Sequence, residues 1–142
     1  MAYDKNNVFA KMLRGEIPAI KVYEDEHALA VMDINPVARG HTLVIPKVEA
    51  EGLLDLPAAS AGAALIATQK VAKAVKAAMN ASGIRVSQHN GASAGQSVFH
   101  IHFHIIPHWD DPKSRAAGTP THGRPGDLKE LEGVAKLIRA QL

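Results

Sequence analysis

The chain has 142 residues, the length of one domain, and a domain of that size buries roughly 70% of its unfolded surface without needing staples. It has no cysteine, which excludes a disulfide framework, a thiolate nucleophile and any Cys-based zinc site, and fits a reducing compartment. A net charge of +2 is too mild to imply a nucleic-acid partner, no stretch approaches the roughly 20 apolar residues of a membrane span, and the N-terminus lacks the apolar run of a secretory signal, so a cytoplasmic protein is expected.

In chain order, Val8 to Arg14 reads as a short helix with Asn7 as N-cap and Gly15 as its stop. Lys21 to Tyr23 and His27 to Met32 read as strands around a turn at Asp25-Glu26. A loop marked by Asn35-Pro36 and Arg39-Gly40 leads to a third strand, His41 to Ile45, closed by Pro46. Asp55 to Ala81 is the longest helical stretch, with Asp55 as its cap. Leu65, Thr68, Val71, Val75 and Met79 fall on one face at helical spacing, and Gly83 stands where a C-cap belongs. Ile84 to Gln88 is a fourth strand, Asn90 to Ser97 a glycine-bearing loop, and Val98 to Ile106 a fifth strand ended by Pro107. Trp109 to Gly126 is rich in Pro and Gly and predicts irregular structure. Asp127 to Glu130 resembles a capping box, and Leu128, Leu131, Val134 and Ile138 continue a terminal helix. Strands in hairpin-like succession without βαβ alternation predict an α+β class, helices packed on an antiparallel sheet. The expected organisation is a core over residues 1–110 with a tail and helix, 111–142, packed on the same domain.

The chemistry concentrates in Phe99-His-Ile-His-Phe-His-Ile-Ile106. Alternation along a strand would place His100, His102 and His104 on one face, about 6.6 Å apart, and Phe99, Ile101, Phe103 and Ile105 on the other. Three imidazoles are costly core packing, and on a plain surface Lys, Thr or Glu would serve as well. Two functional readings remain open. One is a metal site, completed by carboxylates such as Asp110 or Asp111. The other is nucleophilic catalysis, because a neutral imidazole with its second nitrogen fixed by a hydrogen bond is a competent nucleophile near pH 7. The loop Asn90 to Ser97 lets backbone N–H groups approach an anion, and beside the histidines it suggests a bound phosphate. It is no nucleotide P-loop: the glycines are too close, no Lys follows, and a strand stands where a helix is needed.

His100-Ile-His102-Phe-His104-Ile-Ile resembles the signature of the histidine triad (HIT) family. Val8 to Pro18, Tyr23 to Glu26, Asp33 to Pro36, Gly40 to Lys47 and Gly95 to Val98 match that family in order, while residues after about 110 match loosely. The chain is most similar to its bacterial Hint-like and Fhit-like group. The resemblance implies an α+β fold with a five-stranded antiparallel sheet, a homodimer, and hydrolysis at the α-phosphate of a purine nucleotide conjugate without a cofactor. It implies that His102 is the nucleophile and forms a nucleotidyl-histidine intermediate, that His104 contacts the α-phosphate, and that His100 supports both. It places Gln96 and Ser97 near the phosphate and leaving group. Asp33 would lie at the ribose hydroxyls and Asn90 near the ribose or phosphates, with Ile34, Gly95 and Val98 among the nucleotide-binding positions. His41 stands behind the triad as a support. Histidine rather than glutamine at position 104 favours a hydrolase over a nucleotidyl transferase. Many bacterial relatives also carry a structural zinc, held by two N-terminal cysteines, a histidine after the Ile-Pro-Lys segment and the first triad histidine. Here those positions hold Asn7, Ala10, Glu49 and His100, so no structural zinc is expected. A metal-dependent hydrolase and a non-catalytic nucleotide-binding or scaffolding protein are the alternatives. The segment from His108 and Trp109 to His122 is expected to cover part of the pocket or to pack on the partner subunit.

Overall fold

The computed structural model describes residues 2–112 and 121–142. Their strands are β1 (Lys21–Glu24), β2 (Ala28–Met32), β3 (Thr42–Pro46), β4 (Gly83–Ser87) and β5 (Phe103–His108). They form one antiparallel sheet in the order β1-β2-β3-β5-β4. The helices are α1 (Val8–Leu13), α2 (Ala58–Ala78) and α3 (Leu128–Arg139). The α+β class and the inserted long helix are as the sequence predicts.

Side-chain alternation decides what each sheet face meets. Ala28, Ala30 and Met32 of β2, Val44 of β3, and Phe103 and Ile105 of β5 pack with α2 and α3 in one core. Leu29 and Val31 of β2 and Leu43 and Ile45 of β3 point the other way and meet Phe9, with Met12 and Leu13 beside them. The six-residue α1 covers only part of that second face. The rest of that face, beside β3 and β5, holds the histidines, with Phe9 of α1 against His102.

Several local expectations shift for identifiable reasons. Asp55 does not cap α2. Its carboxylate accepts from the N–H groups of Glu51 and Gly52 and closes a separate 3-10 turn at Leu53–Asp55, and α2 starts after Pro57. The buried face of α2 is Ala64, Ala67, Thr68, Val71, Ala74 and Val75, whereas Leu65 is 56% exposed. The alanines let the helix lie close on the sheet, so the face is set by small residues, not by the leucine. Asn80, not Gly83, adopts the left-handed conformation after α2 (φ 49°), and Gly83 opens β4. Asp127 occupies the N-cap of α3 without a side-chain cap bond, and Leu128 is exposed. The largest departure is β5, which begins at Phe103 and runs through Pro107 to His108. Residues 99–102 precede the ladder, and Phe99 is exposed, not packed with Ile101, Phe103 and Ile105.

Candidate active site

His41, His100, His102 and His104 are all buried, and their hydrogen bonds fix which ring nitrogen carries the proton. Nδ1 of His102 lies 2.7 Å from the carbonyl oxygen of His100. A carbonyl only accepts, so Nδ1 holds the proton and Nε2 keeps its lone pair. His100 follows the same rule: its Nε2 donates to the Pro46 carbonyl at 2.7 Å, and Nδ1 is left to accept from the Tyr3 hydroxyl.

A second chain of bonds starts at Val37, whose N–H donates to Nδ1 of His41 at 3.1 Å. The His41 proton therefore sits on Nε2, 2.9 Å from Nδ1 of His104 and 3.4 Å from Oδ2 of Asp33. With Nδ1 accepting, His104 carries its proton on Nε2. Two adjacent rings, 5.0 Å apart between centroids, thus hold opposite tautomers: His102 offers a bare Nε2 and His104 an Nε2–H. The ladder pairs His104 with Leu43 on β3 and Ser87 on β4, which fixes its backbone.

Burial keeps the histidines neutral. It pushes His102 and His41 down to about 4 and His104 to about 3, and it lowers His100 as well. For His102 the bond to the His100 carbonyl works against burial, and for His104 the neighbouring histidines add to it. Asp33 moves oppositely: burial raises its carboxyl to about 6, despite the N–H of Asn35 donating to Oδ1.

Next to these rings lies a pocket of about 140 Å³, lined by Asp33, Ile34, Ser97, Val98, His102 and His104, with Val8, Phe9 and Met12 of α1 and His122 among its other walls. The ring of Phe9 meets His102 at 75° with centroids 4.8 Å apart. The structure thus brings together Asp33, Ile34, Ser97, Val98, His102 and His104, with His41 and His100 behind them.

Gln96 and Asn90 stand in the loop beside the histidines. Buried Gln96 accepts from the Gly91 N–H and donates to the carbonyls of Glu51 and Val98, so both ends of its amide are spent on backbone. Asn90 accepts from the Leu53 N–H and exchanges two hydrogen bonds with Gln88. Within the loop the N–H groups of Gly91, Ala94, Gly95 and Gln96 donate to loop acceptors, while Ser97 at its end lines the pocket. Gly91 and Gly95 there have φ of 94° and 97°, which disfavours any side chain. Gly95 is not among the pocket walls. Trp109 donates from Nε1 to the Met79 carbonyl and packs against the α2 core, away from the pocket. His122 does line it, while residues 113–120 of the same segment lie outside the described residues.

Sequence reasoning missed two contributors. His89 stacks on His104 with centroids 5.4 Å apart. Val8, Phe9 and Met12 of α1 line the pocket, where the sequence reads only a short helix over Val8 to Arg14. The spacing Val8, Phe9, Met12 did signal an apolar face, but nothing local said that its partner would be a histidine.

A family model for the HIT domain matches residues 14–111. A crystal structure of a Hit-like protein involved in cell-cycle regulation from Bartonella henselae superposes with a TM-score of 0.88 at 47% identity, covering 99% of this chain and 100% of that one. A Zn-bound histidine triad family protein from Mycobacterium smegmatis gives 0.83 at 35% identity, covering 96% and 92%. The adenosine 5'-monophosphoramidase HNT1 of Saccharomyces cerevisiae is 35% identical over 135 residues, 95% of this chain and 82% of that protein. The match over the region that carries the histidines, together with a shared fold at high identity, establishes that this chain belongs to the HIT domain family.

Proposed function

We propose that the protein hydrolyses purine nucleotide conjugates at the α-phosphate through a covalent intermediate on His102. The observation that carries this reading is the pair of opposite tautomers: a bare Nε2 on His102 beside an Nε2–H on His104. A nucleophile and a donor to the phosphoryl oxygens are what an in-line displacement at phosphorus needs. The likeness to a monophosphoramidase supports the same chemistry.

In the first step His102 Nε2 bonds to the α-phosphorus and the bond to the leaving group breaks. For a phosphoramidate the departing nitrogen takes a proton from solvent and leaves as ammonia or an amine, and the proton lost by water in the second step returns it. The Nδ1–H to the His100 carbonyl stabilises the positive charge that forms on the ring. His104 Nε2–H donates to a non-bridging oxygen, where charge accumulates. Water then attacks the same phosphorus, releases the nucleotide, loses a proton and restores neutral His102. Asp33, at the pocket wall beside exposed Ile34, accepts from the ribose hydroxyls. The apolar walls Val8, Phe9, Met12 and Leu43 suit a purine ring.

A second reading has one observation in its favour: ligand atoms of Asp33, His41 and His104 lie within 4.8 Å of one another. A metal there would have to displace the proton that His41 shares with His104. One experiment separates the readings. Adenosine 5'-phosphoramidate is incubated with the protein in EDTA, with His102→Ala alongside. AMP release by the parent alone is expected. Activity that disappears in EDTA and returns with a divalent cation would move the assignment to the metal reading.

A further inference from the structure

The N-terminal arm carries a bond that hydrolysis at His102 does not explain by itself. The Tyr3 hydroxyl meets Nδ1 of buried His100, 97 residues away in sequence. His100 Nε2 is already spent on the Pro46 carbonyl, so the hydroxyl is the donor and Nδ1 the acceptor. Residue 100 then works in two directions. Its side chain holds the arm, and its carbonyl receives the His102 Nδ1–H at 2.7 Å. The arm it holds supplies Phe9 against the His102 ring and, with Val8 and Met12, a wall of the pocket.

With Nε2 on the Pro46 carbonyl, Nδ1 is also the nitrogen that His100 would have to offer a structural zinc. The donor set here does not fit one. Nδ1 of His100 has no lone pair left once it accepts from Tyr3. Asn7 uses its carbonyl oxygen to cap α1 at the Ala10 N–H and its amide nitrogen on the Asp4 carbonyl. Ala10 offers no ligand atom, and the position after the Ile-Pro-Lys segment is an exposed Glu49.

We propose that Tyr3 is a positioning residue for hydrolysis at His102, and that its bond to His100 fastens the N-terminal arm over the pocket in place of a metal. The first half rests on the catalytic reading above; the second stands on the arm alone. Burial pushes the Tyr3 hydroxyl up, so it keeps the proton it donates at neutral pH.

The test is Tyr3→Phe, which keeps the ring and removes only the hydroxyl. Turnover of adenosine 5'-phosphoramidate is expected to fall roughly three- to tenfold in kcat, the scale of one neutral hydrogen bond, with a rise in KM as well because the same arm walls the pocket. Long-range proton–nitrogen NMR is expected to show His100 Nδ1 as a hydrogen-bonded acceptor in the parent and as a bare nitrogen in the variant. Zinc added to the parent is expected to leave the His100 signals and the melting temperature unmoved. A parental kcat in the variant overturns the positioning role, as does a lower kcat with unchanged His100 signals. One equivalent of zinc bound by the parent with displaced His100 signals overturns the metal-free clasp. Should the variant not fold, the parent spectrum still decides, because a bare His100 Nδ1 there contradicts the bond. A parent that shows the bond but hydrolyses nothing leaves the clasp standing and rejects the catalytic reading instead.

Discussion

The histidine row and the glycine loop beside it use polar side chains in opposite ways. In the row, each bond made behind a ring leaves one specified nitrogen facing the pocket: the lone pair on His102, the proton on His104. In the loop, Gln96 and Asn90 spend their amides on Gly91, Glu51, Val98, Leu53 and Gln88. Both regions are full of groups able to bind a phosphate. The row and Ser97 of the loop line the pocket, whereas Gln96 and Asn90 do not, and unspent capacity, not residue type, is what a substrate can use.

The largest effect expected from this contrast is at His102. His102→Ala should lower kcat at least about 10⁴-fold, measured by AMP release, while the protein stays folded. His41→Ala should come next, at roughly 10²-fold in kcat, because His104 would no longer have its proton fixed on Nε2; nitrogen NMR of His104 reads the tautomer directly. Equal activity in that variant would break the account of the second chain of bonds. Gln96→Ala should act mainly on folding. It leaves one N–H and two carbonyls without their partner, and denaturant unfolding should show a loss of about 1–3 kcal/mol. A Gln96→Ala protein of parental stability and no activity would turn the contrast around and make Gln96 part of the chemistry.

How much of this can be read from residues alone depends on the range of the cause. The α+β class, the long helix and the histidine spacing follow from local periodicity and were legible. The family resemblance also singled out Asp33, Ile34, Ser97 and Val98, four residues that line one pocket. The direction of the bonds was not legible. Whether Asn90 faces a nucleotide or the Leu53 N–H depends on a contact 37 residues away, and Tyr3 meets its partner across 97. The strict strand alternation also misled at one end: residues 99–102 lie before the ladder, so Phe99 is exposed while His100 and His102 are buried.

pH offers a finer probe of the same contrast. The buried histidines have folded pKa values below the ordinary 6.5, so between pH 6.5 and about 4 the unfolded chain binds more protons than the folded one. Stability should therefore fall as the pH falls across that window, by at most about 1.4 kcal/mol per pH unit for each such histidine. Asp33 works against this. Its folded pKa of about 6 lies above the unfolded value, so protonation below pH 6 favours the folded state. The histidines outnumber it, and Asp33→Asn should make the acid loss of stability steeper. The same variant should raise KM roughly tenfold, the loss of one charge-assisted acceptor, and remove any limb near pH 6 from kcat/KM. The smallest effect belongs to positions that serve neither region. Leu65→Gln, on the exposed side of α2, should change stability by less than about 0.5 kcal/mol.

The partner of His102 Nδ1 is a main-chain oxygen, and mutation has no access to it. Any amino acid at position 100 presents the same carbonyl, as long as the chain follows the same course. The aim of the nucleophile is thus inherited with the topology, while the proton on His104 is inherited with the side chain at 41. A lineage on this scaffold can lose or exchange the donor by one codon change and keep a correctly oriented nucleophile throughout. New phosphoryl chemistry can then be tried from a working attacking group instead of from a dismantled site.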